Sequence, residues 1–146
     1  MTKGFVVVYW DASAILSALI QDQHSAAAQR WSGKSGLHLA STLSCAEVFA
    51  VLYRLQREKG IAEKVIRELS DTFEFGPWQK LNLQPEWDVM KDLAARWSLR
   101  GADIWHLACA AVLRKEIPEL VLLTFDKRLG GAAKGEGLLA ASTRLA

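Results

Sequence analysis

The sequence is poor in the residues that build zinc sites and disulfide frameworks. It has two cysteines, Cys45 and Cys109, and three histidines among its 146 residues. Both cysteines stand among apolar residues in predicted helices, which is typical of buried, reduced thiols. No Cys/His group has the spacing of zinc ligands. The sequence therefore argues against a structural zinc site and against a secreted disulfide scaffold.

Long hydrophobic runs are also missing. The longest, residues 104–113, is interrupted by His106 and is half of the roughly 20 residues that a membrane span needs. Near the start of the chain, the apolar run at residues 5–10 ends at Asp11 and is too short for the core of a signal peptide. We therefore expect a soluble, cytoplasmic protein that does not associate with a membrane.

Neither sign of charge is in large excess, since the formal net charge is only +2 at pH 7. This value alone does not indicate a nucleic-acid partner. Solvated helix faces explain the local clusters of basic residues as well as RNA contact does, and both interpretations stay open. The clusters are Arg54, Arg57, Lys59, Lys64 and Arg67, and then Lys91, Arg96 and Arg100.

Apolar residues, in contrast, are abundant at 51 % of the chain, which is ample for one packed core and excludes a disordered protein. The length fits a single domain spanning residues 1–146. Hydrophobic patterning predicts strands at residues 5–10, 37–42, 79–83 and 121–125. It predicts helices at residues 12–31, 44–59, 61–73 and 85–99, and from residue 102 to just before Pro118.

The glycine-rich segment at residues 130–137 gives no clear prediction. Elsewhere strands alternate with helices, which is the pattern of a parallel sheet with helical crossovers. We therefore predict a three-layer α/β/α domain with a mainly parallel central sheet.

Four acidic residues occupy positions at one edge of this predicted sheet. Asp11 directly follows the first strand, and Asp126 directly follows the last. Glu47 falls in the first turn of the helix after the second strand, and Asp103 starts the helix at residue 102. Sites in open parallel sheets form beyond the C-terminal ends of the strands, so we expect the four carboxylates at a common functional edge.

Each acid also has a purely structural interpretation. Glu47 completes a capping box with Ser44, three residues earlier. Asp103 suits a helix cap or an acid favoured in a first helical turn. Asp11 and Asp126 suit turns. It is their joint occurrence at one edge that favours a site.

Electrostatics indicates what such a site contains. Two carboxylates about 5 Å apart repel by about 3 kcal/mol at an effective dielectric constant of 20. Three such pairs would rival the roughly 5–15 kcal/mol stability of a whole domain. Converging carboxylates are therefore protonated or metal-bound, and hard oxygen ligands favour Mg²⁺ or Mn²⁺. Hydrolysis of a phosphate ester is the natural chemistry of such a centre.

At this point the motifs themselves resemble a known family. Residues 9–14 (YWDASA), 46–48 (AEV), 99–108 (LRGADIWHLA) and 123–129 (LTFDKRL) are similar, in order and spacing, to the PIN-domain family, and within it to the VapC-like ribonuclease toxins of toxin–antitoxin pairs. The resemblance implies a compact α/β/α fold that cleaves RNA with Mg²⁺ or Mn²⁺. The family's metal-binding, catalytic acids match Asp11, Glu47, Asp103 and Asp126.

The resemblance also assigns supporting residues. Ser13 and Thr124 match hydroxyl residues that would orient the carboxylates or a bound water. His106 lies on the same helix face as Asp103, and we expect a hydrogen-bonded core histidine there rather than a catalytic one. The chain departs from the family at Ile104 and Trp10, which leaves substrate shape and partner choice open.

Three functions follow from these observations. The first is an endoribonuclease toxin that forms a homodimer and is inhibited by a small antitoxin protein, which would insert a basic side chain beside Asp11 and Asp103. The second is a PIN nuclease of RNA processing without an antitoxin. The third, from another class, is a phospho-acceptor or interaction module. Such modules usually pair adjacent acids after the first strand, whereas here Ala12 follows Asp11.

Overall fold

The computed structural model describes residues 4–138, so the predicted single domain at residues 1–146 extends beyond the described part at both ends. Within that part the chain forms four strands and seven helices. In chain order they are β1 (Val6–Trp10), α1 (Ala12–Leu19), α2 (Ser25–Ser32), β2 (Gly36–Ser41), α3 (Thr42–Lys59), α4 (Glu63–Glu74), β3 (Trp78–Leu81), α5 (Trp87–Arg96), α6 (Gly101–Glu116), β4 (Val121–Leu123) and α7 (Lys127–Gly135).

The strands form one parallel sheet in the order β3-β2-β1-β4. The apolar strand β1 lies inside the sheet, where Tyr9 pairs with Leu39 of β2 on one side and with Leu122 of β4 on the other. Because the strands are parallel, their C-terminal ends lie at one edge. The predicted mainly parallel sheet is confirmed.

Helices cover both faces of the sheet. Successive side chains of β1 point to opposite faces, so Val8 and Trp10 join a core with α1–α4, whereas Val7 and Tyr9 join a core with α5–α7. The three-layer α/β/α architecture is therefore confirmed. No helix within residues 4–138 is long and apolar enough to cross a membrane.

The predicted helix at residues 12–31 is wrong in its continuity, because α1 and α2 are separate. Asp22 and Ser25 form the turn between them. The Asp22 carboxylate accepts hydrogen bonds from Ser17 Oγ and from the His24 N–H (both 2.8 Å), and Ser25 Oγ donates to the Ile20 carbonyl (2.9 Å). The bonds to the His24 N–H and the Ile20 carbonyl take the place of helical backbone bonds.

The glycine-rich segment near the end of the described chain is helical. Helix α7 begins after Asp126, whose side chain caps it, and buries Leu129, Ala132 and Ala133. Capping and burial here outweigh the low helix propensity of glycine. Several element ends also differ from prediction by one to three residues; α5 is the clearest case, since it spans Trp87–Arg96 and not residues 85–99, and β4 stops at Leu123.

Candidate active site

The four predicted acids line one small cleft at the C-terminal edge of the sheet. β1 and β4 are neighbours, with Trp10 paired to Leu123, so the loops that follow them start side by side. The cleft has a volume of about 120 Å³. It is lined by Asp11, Ala12, Ser13, Glu47, Asp103, His106 and Asp126.

Asp11 is the most firmly held of these side chains. It caps α1, where Oδ1 accepts hydrogen bonds from the Ala14 N–H (2.9 Å) and Ser13 Oγ (2.7 Å), and Oδ2 accepts one from Thr124 Oγ1 (2.5 Å). Only 5 % of the residue is exposed. Burial raises the pKa of Asp11, and the three donors act against that rise. Its orientation is thus set by the protein itself.

Ser13 and Thr124 tie the two neighbouring loops together. Besides donating to Asp11, Ser13 Oγ accepts a hydrogen bond from the Phe125 N–H (3.2 Å), and Thr124 Oγ1 accepts one from the Asp126 N–H (3.0 Å). The two hydroxyls therefore stand where they fix one carboxylate and the backbone next to another.

The capping-box interpretation of Glu47 is wrong. Helix α3 starts two residues earlier than predicted, with Ser41 as its cap: Ser41 Oγ accepts a hydrogen bond from the Ser44 N–H (3.1 Å). Glu47 consequently lies beyond the first turn, and Ser44 Oγ donates instead to the Trp10 carbonyl (3.1 Å). The Glu47 carboxylate is left free to reach the cleft.

His106 holds Glu47 in that position. Its Nε2 lies 2.7 Å from Glu47 Oε1, and its Nδ1 lies 2.7 Å from the Tyr9 hydroxyl. The Tyr9 hydroxyl in turn hydrogen-bonds Ser41 Oγ (2.9 Å). Burial raises the pKa of Tyr9 far above its ordinary value, so the phenol stays neutral.

The expected hydrogen-bonded core histidine is confirmed, since His106 is 2 % exposed. Sequence reasoning missed that His106 hydrogen-bonds Glu47, and it missed the supporting hydrogen bonds of Tyr9 and Ser41. Tyr9 stands two residues before Asp11, and Ser41 ends β2, so both sat at the predicted functional edge.

Asp103 and Asp126 form the less restrained half of the cleft. Asp103 is an acid of the first turn of α6, not its cap, because Arg100 occupies the cap position. Partial burial raises the pKa of Asp103, and the negative charges of Asp126 and Glu47 raise it further. Asp126 caps α7, where Oδ1 accepts hydrogen bonds from the N–H groups of Arg128 (2.9 Å) and Leu129 (3.0 Å).

The cleft is short of positive charge. Within residues 4–138, no lysine or arginine forms a salt bridge with any of the four acids, and His106 is the ion-pair partner of Glu47. The donors are all carboxylate oxygens, which fit a hard divalent cation. In the same part of the chain, however, no three Asp, Glu, His or Cys side chains are close enough together to hold one metal ion. The charge and the oxygen atoms of the four carboxylates suit a divalent cation. Metal binding by them stays a prediction.

A comparison with protein families places these residues in a known context. The model of the PIN domain family matches residues 8–135, a range that contains all four acids. The chain belongs to the PIN domain family. In a comparison with curated protein sequences, none matches this chain.

Two solved structures share this PIN fold. The crystal structure of PAE2754 from Pyrobaculum aerophilum is 22 % identical with a TM-score of 0.64, over 98 % of this chain and 90 % of that one. VapC20 of Mycobacterium tuberculosis, described as a sarcin-ricin loop cleaving toxin, is 14 % identical with a TM-score of 0.58, over 86 % of this chain and 94 % of that one. Both likenesses show the fold.

Proposed function

We propose that this PIN domain is an endoribonuclease that hydrolyses RNA phosphodiester bonds with Mg²⁺ or Mn²⁺. One observation carries the proposal: four carboxylates line a single cleft at the C-terminal edge of the sheet, and none of them forms a salt bridge with a lysine or arginine within residues 4–138. A protein tolerates such a concentration of negative charge where a cation is bound in function.

Asp11, Glu47, Asp103 and Asp126 would hold the metal. A divalent ion there supplies charge neutralisation at the scissile phosphate and a more acidic water at neutral pH. Other residues of the chain would orient these carboxylates. Ser13 and Thr124 hold the Asp11 carboxylate in one orientation, and His106 does the same for Glu47. Fixed ligands lower the reorganisation needed when the substrate binds.

Asp126 contributes through one oxygen. Its Oδ1 is engaged by two backbone N–H groups, so its Oδ2 is the atom available to a ligand. Asp103 accepts no hydrogen bond from the described residues, and the pKa of its carboxyl is raised. A bound cation would therefore favour its charged form.

The test is RNA cleavage by the purified chain with and without Mg²⁺ or Mn²⁺. We expect cleavage that stops on chelation and is absent in Asp11→Asn, an exchange that removes the charge and nearly keeps the size. Wild-type cleavage by the folded Asp11→Asn protein would contradict the assignment. Phosphorylation of Asp11 without cleavage would instead support a phospho-acceptor module.

We further propose that the nuclease is the toxin of a toxin–antitoxin pair, acting as a homodimer in the cytoplasm and inhibited by a small antitoxin. This step rests on the motif resemblance, and the fold shared with a VapC toxin agrees with it. A cleft of carboxylates without a lysine or arginine salt bridge among the described residues would also attract an antitoxin arginine, which can bind a carboxylate through two hydrogen bonds.

A surface suited to an antitoxin peptide lies on α3 and α4. Val48, Leu52 and Phe73 of these helices face the protein's own core. Phe49, however, lines an open pocket of about 590 Å³ together with Phe75, which is 83 % exposed. Such an apolar groove accepts an amphipathic peptide.

Co-expression with the neighbouring gene tests this step. We expect a co-purifying protein that suppresses cleavage, and we expect Phe75→Ser to weaken the suppression while free-enzyme cleavage stays unchanged. If no partner co-purifies, or if suppression is independent of the partner's Arg and Lys residues, the RNA-processing function is favoured. Sedimentation of the free enzyme measures the proposed dimer.

A further inference from the structure

A second open groove lies beside the acid cleft and has a volume of about 540 Å³. It is built by the loop after α5 and by the first turns of α7. The residues that line it are Trp97, Ser98, Leu99, Lys127, Arg128, Gly131 and Ala132.

Two chain segments contribute residues to both the groove and the cleft, and Asp11, Ala12, Ser13 and Glu47 complete the cleft. Leu99 lies four residues before Asp103, at the approach to α6, and Lys127 and Arg128 directly follow Asp126. The groove therefore adjoins the side of the cleft that carries Asp103 and Asp126.

The charge of the groove is opposite to that of the cleft. Lys127 and Arg128 are exposed, neither forms a salt bridge within the described residues, and no carboxylate lines the groove. The α7 N-terminus does not supply the anion site, because the Asp126 side chain already accepts the N–H groups of Arg128 and Leu129. The two cationic side chains are the free groups.

The floor of the groove is apolar and rigid. The Trp97 indole N–H donates to Glu136 Oε2 (2.8 Å), and Arg96 holds the same carboxylate through two hydrogen bonds (2.9 and 3.1 Å). The indole also packs on the α7 backbone at Gly135, where any side chain would overlap its ring. Trp97 remains half-buried, so part of its ring is open to the groove.

We propose that this groove binds the RNA nucleotide adjacent to the scissile phosphate, with Lys127 and Arg128 on its phosphate and Trp97 under its base. Two cations without a salt bridge and a fixed aromatic ring in one groove match the two surfaces of a single-stranded nucleotide, its charged backbone and its flat base. The proposal rests on the proposed RNA cleavage at the acid cleft, and it names where the substrate continues.

Binding is measured with a single-stranded RNA oligonucleotide in the Asp11→Asn background, and KM and kcat are measured in the active enzyme. We expect Lys127→Glu/Arg128→Glu to raise Kd and KM at least ~10-fold with a much smaller change in kcat. The matched control, Arg57→Glu/Lys64→Glu on α3 and α4, changes net charge equally and should leave both constants nearly unchanged. In Lys127→Ala/Arg128→Ala, the slope of log K against log salt should shrink by about 0.7, the contribution of one neutralised phosphate on a single strand.

Gly131 offers a second test that leaves the fold intact, because a side chain there meets no atom within 4 Å. Gly131→Glu should weaken RNA binding, whereas Gly131→Lys should not. Trp97→Ala should raise Kd more than Trp97→Phe does.

The outcomes separate the two proposals. If the wild type cleaves RNA but the groove variants keep its KM and salt slope, the groove assignment is wrong and the nuclease proposal stands. Equal losses in the Arg57/Lys64 control would also overturn the groove, by showing a general effect of charge. If the wild type neither binds nor cleaves RNA, the nuclease proposal itself fails.

Discussion

The carboxylates of this protein fall into two groups that differ in what neutralises them. Outside the cleft, Glu58, Glu63 and Glu136 each form a salt bridge with an arginine, at 3.6, 2.8 and 2.9 Å. The cleft acids have no such partner among the described residues. Since surface salt bridges contribute little to stability, the informative group is the second. The fold thus brings together four carboxylates that form no salt bridge with a lysine or arginine of the described residues, at the edge where we propose that a metal binds.

The largest expected effect is on RNA cleavage. It should appear when two single variants of helix α3 are compared, one that changes a cleft acid and one that changes a salt-bridged acid. Glu47→Gln removes a cleft carboxylate of α3 and should lower kcat/KM at least ~100-fold, which corresponds to about 2.7 kcal/mol of transition-state stabilisation. Glu58→Gln removes a salt-bridged acid of α3 and should leave RNA cleavage unchanged. Full activity of Glu47→Gln would mean that Glu47 only hydrogen-bonds His106 and takes no part in RNA cleavage.

A bound metal ion should stabilise the protein through the carboxylates of the cleft alone. At 100 times its dissociation constant, a bound ion adds about 2.7 kcal/mol to the free energy of unfolding, which raises the melting temperature of a domain of this size by about 5–10 °C. Calorimetry with and without Mn²⁺ measures this shift. The shift should be lost in Asp11→Asn and kept in Glu58→Gln.

The metal-free protein should respond in the opposite direction. Asp126→Asn relieves repulsion with Asp103, and asparagine caps a helix as well as aspartate does, so the metal-free variant should melt slightly above wild type. The lost attraction between the charge and the α7 dipole limits the gain. Equal melting temperatures would indicate that the cleft carboxylates do not repel one another.

A smaller effect should follow from loss of the hydrogen bond by which His106 holds Glu47 in the cleft. In His106→Gln the amide N–H can still donate to Glu47, whereas His106→Asn places its amide nearer Tyr9 and loses that bond. We expect the Asn variant to weaken Mn²⁺ binding about 10–100-fold, as is usual when a group that orients a metal ligand is lost, and the Gln variant to recover much of it. Titration of Mn²⁺ binding checks this without RNA. Identical affinities for the two variants would contradict a positioning role for His106.

The smallest expected effect is on the pH dependence of stability, where the two groups should differ in sign. The pKa of Asp103 is raised by burial and by its acidic neighbours, so its ionisation costs folded stability. Metal-free Asp103→Asn should therefore exceed wild type at neutral pH, and the difference should vanish as pH falls towards the ordinary pKa of about 3.9. Unfolding curves over this pH range measure it.

Glu136 should behave in the opposite way. Hydrogen bonds from Arg96 hold the pKa of Glu136 below its ordinary value. Its contribution is therefore present above about pH 4.3 and is lost as pH falls through the lowered pKa. Glu136→Gln should be slightly less stable than wild type at neutral pH and equal to it in acid.

The residues at strand ends explain why so much of the fold and the site could be predicted. β1 and β4 are buried on both faces, so their apolar runs are unmistakable, and an acid directly after each run marks the sheet edge. Parallel topology then places Asp11 and Asp126 side by side. The metal-binding and catalytic roles of the four acids stay predictions.

What could not be predicted depends on interactions between distant residues or on competition within one segment. The Glu47–His106 contact joins residues 59 positions apart, and only the packing of α3 against the rest of the domain creates it. The break after α1 required weighing the bonds of Asp22 and Ser25 against an otherwise helical pattern. Helix α7 required its cap and buried residues to outweigh the cost of glycine, about 1 kcal/mol per residue.

The hydrogen bond from Thr124 to Asp11 spans 113 residues and sets the timing of this site during synthesis. A ribosome adds about 5–20 residues per second, so Asp11 is made many seconds before the strand that completes its surroundings. Until β4 pairs with β1, neither Thr124 nor Asp126 stands at the edge of the sheet. The cleft lined by the four acids is therefore complete only after the segment that carries Asp126 has been made.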